Sequence, residues 1–310
     1  MAHRQLLYSL LTLGMMILMV LAAELSGERE IIFPEVTAIA VGLFLAPKQS
    51  WVVSKPRLFF LITFCAWAGL AISLWMPGPQ WGKLCAAFLL CQLVLAYSGT
   101  GFAPLISAGV LPVMLGTQSV IYPLSAMALT GLLVLLRLAL EQGGLKEKQP
   151  FTPLPRPNQA DWLQLLARCG IGVICILAAV NLNIPFAVAP PILVAFTEFS
   201  RPGNQARQTP IRTAGLIFCC ALAGAASRYF LTMELGLWLT LSAGVAGIIL
   251  LGLLRAFRLY LPPAGALTML PMLIPETTVV WYPLEVLAGI CIFLGCSMLM
   301  NRQEYHKTKS

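Results

Sequence analysis

Long apolar stretches alternate with short polar ones along almost the whole chain. Twelve of them can be recognised, at about 5–23, 31–46, 57–76, 81–97, 101–115, 120–140, 162–180, 184–198, 212–231, 235–254, 262–275 and 280–300. A helix needs about 20 apolar residues to cross a bilayer. The stretches at 31–46, 101–115, 184–198 and 262–275 are shorter than that. The pattern therefore predicts about twelve transmembrane segments, four of them short, broken or re-entrant.

The composition narrows the class of protein. The chain has 310 residues, of which 59% are hydrophobic and 10% charged, whereas soluble domains carry about 45–50% apolar and about 25% charged residues. This excludes a soluble enzyme and a disordered chain, and predicts an all-α membrane protein. The net charge of +8 does not indicate nucleic-acid binding, because no basic run is interleaved with aromatic residues.

The distribution of basic residues predicts the topology. Cytoplasmic loops of membrane proteins retain an excess of Lys and Arg. With twelve crossings and the N-terminus inside, only Arg29, Lys83 and Arg228 face outside, and the other seventeen Lys and Arg residues face inside. We expect a multi-pass protein of a bacterial-type inner membrane with both termini in the cytoplasm.

The two halves of the chain resemble each other. Pairs in the same order include Gly14 with Gly170, Arg57 with Arg212, residues 102–112 with 261–271, and Tyr122-Pro123-Leu124 with Tyr282-Pro283-Leu284. Six segments in each half predict two parallel repeats. The first repeat spans 1–141, a cytoplasmic linker 142–160, the second repeat 161–302 and a cytoplasmic tail 303–310. Because the first repeat includes the first helix, we expect that helix to be retained rather than cleaved as a signal peptide.

Two of the short segments, which occupy matching positions in the two halves, carry proline and glycine. Pro104 and Gly109 lie in the first half, and Pro262, Pro263 and Gly265 in the second. Proline begins or breaks a helix, and glycine lets another backbone approach closely. Irregular backbone at membrane depth is tolerated where it is buried or lines a watery cavity. These residues are predicted to line a substrate path, with kinked packing helices as the alternative.

The charged residues near the membrane suggest two further roles. Arg57, Arg201 and Arg212 would attract an anion, unless they are ordinary charges of a positive-inside loop. Glu35, Glu198 and Glu285 lie in or at the ends of apolar segments, where an acidic residue usually faces a cavity or a partner. They are the candidate proton-coupling residues, with a surface position at the membrane interface as the alternative for Glu285.

No residues with the pattern of an enzyme stand out. The two histidines, His3 and His306, lie in the tails, and none of the nine cysteines forms a C-x-x-C pair. Nucleotide-binding and hydrolase motifs are missing from the sequence as well. We expect no catalytic activity, no metal and no cofactor.

Residues 196–302 show a partly familiar pattern. It runs from Phe-x-x-Phe-Ser-Arg-Pro at 196–202 through Leu-Pro-Pro-Ala-Gly-Ala at 261–266 to Asn-Arg at 301–302. This resembles the HPP family of integral membrane proteins, with Leu261 in place of the family's histidine. Members of that family have been linked to nitrite movement, so the resemblance implies transport of a small anion.

A weaker resemblance lies near the start of the chain. Pro34-Glu35-x-x-Ala-x-Ala-x-Gly, followed by Ala-Pro-Lys at 46–48, is similar to the membrane domains of fusaric acid resistance proteins and aromatic acid exporters. That resemblance implies export of aromatic or other organic acids. The large soluble region usual in that group is missing here.

The sequence therefore favours secondary transport of a small anionic solute, either nitrite-like or a small organic acid. The expected partners are the lipid bilayer and the anion, and the oligomeric state, including a homo-oligomer, stays open. The alternatives are an exporter of aromatic or organic acids and a membrane scaffold subunit that transports nothing.

Overall fold

The computed structural model describes residues 2–47 and 49–301, apart from the side chains of Ala2 and Gln205. Lys48, Arg302, Lys307, Lys309 and the predicted tail 303–310 lie outside the described residues. All regular secondary structure in the described part of the chain is helical, as the apolar pattern predicts.

Among the described residues, eight helices are long and apolar enough to cross a membrane. They are α1 (Ala2–Ser26), α3 (Lys55–Trp75), α4 (Gln80–Tyr97), α6 (Ile121–Gln142), α7 (Gln159–Asn181), α10 (Pro210–Ser227, extended by a π-helical turn Arg228–Glu234), α11 (Leu239–Ala256) and α14 (Tyr282–Met300). These eight helices are compatible with a multi-pass membrane protein. The chain between α6 and α7 corresponds to the predicted linker.

The remaining helices are short. They are α2 (Glu35–Ala40, continued by a π-helical turn Val41–Leu45), α5 (Leu105–Leu115), α8 (Pro190–Phe199), α9 (Gln205–Gln208), α12 (Pro262–Met269, continued by a 3-10 turn Leu270–Met272) and α13 (Glu276–Val279), with 3-10 turns at Arg29–Ile31 and Pro185–Val188. Elements α2, α5, α8 and α12 fall in the four stretches that the sequence predicts to be short.

Proline and glycine explain where these four helices begin and end. Pro34, Pro104, Pro190 and Pro262 stand at their starts, where the missing N–H costs no helical hydrogen bond. Helix α5 ends at Gly116, whose φ of +65° is a left-handed conformation that glycine adopts without strain.

The four short helices form the centre of the molecule. Helix α2 packs on α12, α5 on α8, and α8 on α12, while the long helices surround them. All residues of α2, α8 and α12 are buried. A helix that is apolar on every side belongs in such an interior. The two halves are interleaved, because α1 of the first half packs on α11 of the second, and α4 of the first on α7 of the second.

Glycines let two long helices touch the backbone of the short helices. A Cβ added at Gly69 of α3 would lie 2.2 Å from the carbonyl oxygen of Gly109 in α5. A Cβ at Gly224 of α10 would lie 2.1 Å from the carbonyl oxygen of Thr268 in α12. No side chain fits at such distances, so both glycines are required for this packing.

Hydrogen bonds join helix ends at two opposite ends of the bundle. At the end where α1 begins, called here the N-terminal face, they connect Tyr8 with Leu145, Lys55 with Glu141, and Arg255 with Ser9. At the opposite face they connect Glu24 with Leu239, Ser73 with Thr117, and Arg29 with Glu276. The long helices therefore run from one face to the other.

Cationic side chains satisfy the carbonyl groups at the end of the α2 element. Arg137 Nη1 donates to the Leu43 carbonyl at 2.7 Å, and Lys146 Nζ to the Phe44 carbonyl at 2.8 Å. A cation at the C-terminal end of a helix also interacts favourably with the helix dipole. Burial lowers the pKa of Lys146 to about 8, and the charge of Arg137 adds to that shift.

The second half ends its short helices with the same device. Arg207 and Asn301 donate to the carbonyls of Phe199 and Ser200 after α8. Arg228 donates to the carbonyls of Pro271 and Ile274 after α12. Arg137 and Arg228 are each only 1% exposed. The topology prediction counts Arg137 and Arg168 with the cytoplasmic charges and Arg228 with the outside ones. All three lie in long helices or their extensions, within the apolar stretches predicted at 120–140, 162–180 and 212–231.

We expect Gly69→Ala and Gly224→Ala to lower the free energy of unfolding by about 1–3 kcal/mol, because the added methyl overlaps a backbone oxygen. Denaturant unfolding of the purified protein in detergent measures this. The controls Gly14→Ala and Gly170→Ala lie in α1 and α7, where no atom approaches the added Cβ. They should lose no stability, since alanine is the better helix former. Equal effects in all four variants would contradict the close contacts.

Candidate functional site

Glu35 is a buried acid at the centre of the molecule. It is the first residue of α2 and only 1% exposed. Its Oε1 accepts a hydrogen bond from the Ser107 hydroxyl of α5. Its Oε2 is buried without a donor, and no cation forms an ion pair with Glu35 among the described residues. An ionised carboxylate at this place would have no counter-charge among the described residues; the proton-coupling role of Glu35 stays a prediction.

Two tyrosines lie near this carboxyl, one from each half. Tyr122 donates to the Ala108 carbonyl of α5 at 3.0 Å, and Tyr282 to the Leu267 carbonyl of α12 at 2.8 Å. Both phenol groups are within electrostatic reach of Glu35. The acid therefore lies where elements of the two halves meet.

The predicted path residues are all buried in this central layer. Pro104 begins α5, while Pro262 and Pro263 begin α12. A Cβ at Gly109 would lie 2.4 Å from the Cys91 sulfur, and one at Gly265 would lie 3.1 Å from Cγ2 of Thr37. Here the two glycines permit close helix packing, which is the alternative that the sequence left open. Whether the same residues line a path in another conformation stays a prediction.

Glu198 joins the end of α8 to the first half at the N-terminal face. Its Oε1 accepts from the Trp51 indole N–H at 2.6 Å. The indole ring lies against Gly42, where a Cβ would be 2.3 Å from the ring, and meets Phe102 edge to face at 5.2 Å. Glu198 is thus held by Trp51, whereas Glu35 is bound by Ser107 of α5.

Arg201 and Arg57 lie on two sides of one loop, residues 98–101. Arg201 Nη1 donates to the Gly101 carbonyl at 2.6 Å, and Arg57 Nη1 donates to the Ser98 carbonyl at 2.9 Å. The Arg57 guanidinium also stacks over Phe151 at 4.9 Å. Burial lowers the pKa of Arg201, and the nearby Glu198 carboxyl opposes that shift; the guanidinium stays cationic.

Arg212 and Glu285 lie apart from these groups. Arg212 is exposed in the first turn of α10. Glu285, near the start of α14 at the opposite face, accepts from the Phe186 backbone N–H at 2.8 Å and holds the turn Pro185–Val188 against α14. The sequence-predicted residues therefore occupy three places: the centre, the N-terminal face and the opposite face.

No family model, curated protein or solved structure matches this chain. The likenesses to the HPP family and to the aromatic acid exporters remain resemblances carried by the short motifs quoted above.

The described residues offer no preformed metal site, since no group of three or more His, Cys, Asp or Glu side chains comes together among them. Sequence reasoning missed Ser107, which looks like an ordinary small helix residue. It also missed Arg168 as a site residue, although its position ten residues into the apolar helix α7 was a signal.

We expect Glu35→Gln to change the free energy of unfolding by less than about 1 kcal/mol, because an amide oxygen still accepts from Ser107 and no cation loses a partner. Glu35→Ala should cost about 2–4 kcal/mol through the cavity and the orphaned hydroxyl. Denaturant unfolding in detergent compares the two variants. A Glu35→Gln protein as unstable as Glu35→Ala would mean that the fold depends on an ionised Glu35.

Proposed function

We propose that this protein is a secondary transporter of a small anionic solute. The observation that carries the proposal is Glu35, a buried carboxyl without a counter-charge at the place where short helices of both halves meet. Ionisable residues inside a membrane protein are costly and usually mark a substrate path or a proton relay. Transporters commonly bind their substrates near the midplane, between discontinuous helices of two repeats.

The proposed architecture is twelve crossings in two parallel six-segment repeats. Its support is that matching residues make matching contacts. Gly69 meets the carbonyl of Gly109, as Gly224 meets that of Thr268, and Tyr122 and Tyr282 each donate to a carbonyl of the short helix before them. These pairs follow the offsets that aligned the two halves by sequence.

The short helix α5 is proposed to cross between the faces. Just before it, the Gly101 N–H donates to the Val52 carbonyl near the N-terminal face. At its other end, the Val113 carbonyl accepts from Gln80 at the start of α4, near the opposite face. The N-terminal face holds Arg57, Arg201 and Lys146, which supports a cytoplasmic position for it.

Reporter fusions test the twelve crossings. Fusions ending after Gly99 and after Gln118 should report opposite sides of the membrane, because α5 lies between them. Fusions after Gly27 and Gly78 should both report the outside, because α2 and α3 each cross between them. The same side for Gly99 and Gln118 would remove α5 as a crossing and contradict the twelve-segment topology.

Flux measurements test the transport itself. Proteoliposomes with an imposed pH gradient should take up at least one of nitrite, nitrate, formate and benzoate faster than protein-free liposomes, which measure the leak of the neutral acids. In Glu35→Gln, whose side chain carries no titratable proton, the gradient-driven component should fall by about tenfold or more, equivalent to about 1.4 kcal/mol of lost coupling.

The variants Arg212→Ala and Asn181→Ala complete the flux experiment. If Arg212 attracts the anion as predicted, its loss lowers uptake and leaves the pH dependence unchanged. Asn181, exposed at the end of α7, is the control and should leave uptake unchanged. No flux of any anion by folded protein would contradict the proposal and favour the scaffold subunit.

A further inference from the structure

A cavity of about 300 Å³ opens at the N-terminal face between the two halves. We call it the vestibule. Helix α4 and the 98–101 loop form one side of it, and α7, the start of the α8–α9 connection and the linker close the other. Its lining includes Leu95, Leu154, Leu165, Thr100, Arg168 and Arg201.

Arg168 is a buried cation on the vestibule wall. It is 9% exposed, and its Nη1 donates to the Gln92 side-chain oxygen at 3.3 Å. Its Nε is buried without an acceptor in the part of the chain that the structure describes. The amide nitrogen of Gln92 donates to Thr197 in α8 at 2.7 Å. This second bond turns the Gln92 oxygen towards Arg168 and fixes the guanidinium.

Arg201 adds a second cation to the same cavity. Neither guanidinium forms an ion pair with a described residue. Two acids lie close by: Glu198 accepts from the Trp51 indole, and Asp161, which itself lines the cavity, accepts from the backbone N–H of Asn158 in the cap of α7. The Arg168 and Arg201 guanidinium groups repel each other, and a bound anion would relieve that repulsion.

The rest of the lining is largely apolar. Leu95, Leu154, Leu165, Pro155 and Pro157 face the cavity. Small-molecule sites combine such apolar walls with a few polar groups that fix the orientation of the ligand. A guanidinium pair suits a planar carboxylate, which can accept two parallel hydrogen bonds. An inorganic anion would use the cations and leave the apolar wall without a partner.

We infer that the vestibule binds an organic monocarboxylate, with its carboxylate on Arg168 and Arg201 and its apolar body against the leucine and proline wall. The role of the vestibule as a substrate site rests on the proposed transport function. Its ability to bind a carboxylate does not depend on that function. It lies one hydrogen-bonded step, Gln92 to Thr197, from the central helix α8. A carboxylate held here is therefore next to the short helices.

Equilibrium binding of radiolabelled benzoate to the full chain in nanodiscs tests the site without any transport. Wild-type protein should bind benzoate and not benzamide, its uncharged isostere. Arg168→Gln and Arg201→Gln should each weaken benzoate binding by about 10- to 100-fold, the range expected for a lost charged hydrogen bond. Arg156→Gln is the matched control, because it removes an exposed guanidinium from the linker that closes one side of the vestibule. This variant should bind benzoate as the wild type does.

A second variant tests the apolar wall and guards against misfolding of the arginine variants. Ala96 lines the vestibule and is only partly buried. Ala96→Phe should fill the cavity and weaken benzoate binding while both cations remain. Nitrite should compete with benzoate poorly in the wild type. Equal benzoate affinity in Arg168→Gln and Arg156→Gln, equal binding of benzamide, or nitrite competing as well as unlabelled benzoate would each overturn the inference.

The binding experiment and the flux experiment can fail independently of each other. Benzoate binding that depends on Arg168, together with no flux, would keep the site and reject transport. Flux that persists unchanged in Arg168→Gln would keep transport and reject the vestibule as its carboxylate site.

Discussion

A helix that ends inside a protein leaves backbone carbonyls that only the protein can satisfy. This constraint accounts for much of the structure. Four short helices lie at the centre, and at three of their ends the carbonyls are bound by buried cationic or amide side chains: Arg137 and Lys146 after α2, Arg207 and Asn301 after α8, and Arg228 after α12. Burying these cations costs free energy, and their hydrogen bonds to the carbonyls at the helix ends offset that cost. Shortening the central helices and burying arginines are thus two parts of one arrangement.

The same constraint explains what the sequence predicts well and what it does not. Hydropathy locates the eight long helices and the four short ones, because length and apolar character are local properties. It does not tell a loop arginine from one that folds back onto a helix end, so Arg137 and Arg228 look like ordinary flanking charges. Proline and glycine mark the breaks at Pro104 and Pro262, yet only the packing shows that Gly109 and Gly265 serve close contact. Ser107 carries no local signal, since its partner Glu35 is 72 positions away in the chain.

The central acid Glu35 lies where the two halves differ. In the proposed repeat alignment, Glu35 corresponds to a proline at the start of α8, and the pair Arg137 and Glu141 corresponds to Ser297 and Asn301. The scaffold contacts made by glycines and tyrosines are shared, whereas the central acid is present in one half alone. A difference between the two halves suits a single substrate, because one substrate molecule in one path is not symmetric. The vestibule shows the same asymmetry, with its wall divided between α4 of the first half and α7 of the second.

The interleaving of the halves has a consequence for biosynthesis. Helix α1 packs against α11, and α2 against α12, so α1 and α2 meet these neighbours only after the chain through α12 has been made. The first half cannot close around Glu35 as an independent unit during translation. Until Pro262 has emerged, the Glu35 carboxyl lacks part of the packing that buries it. Closure of the centre is therefore a late event, and a product truncated before α12 would leave this carboxyl partly uncovered.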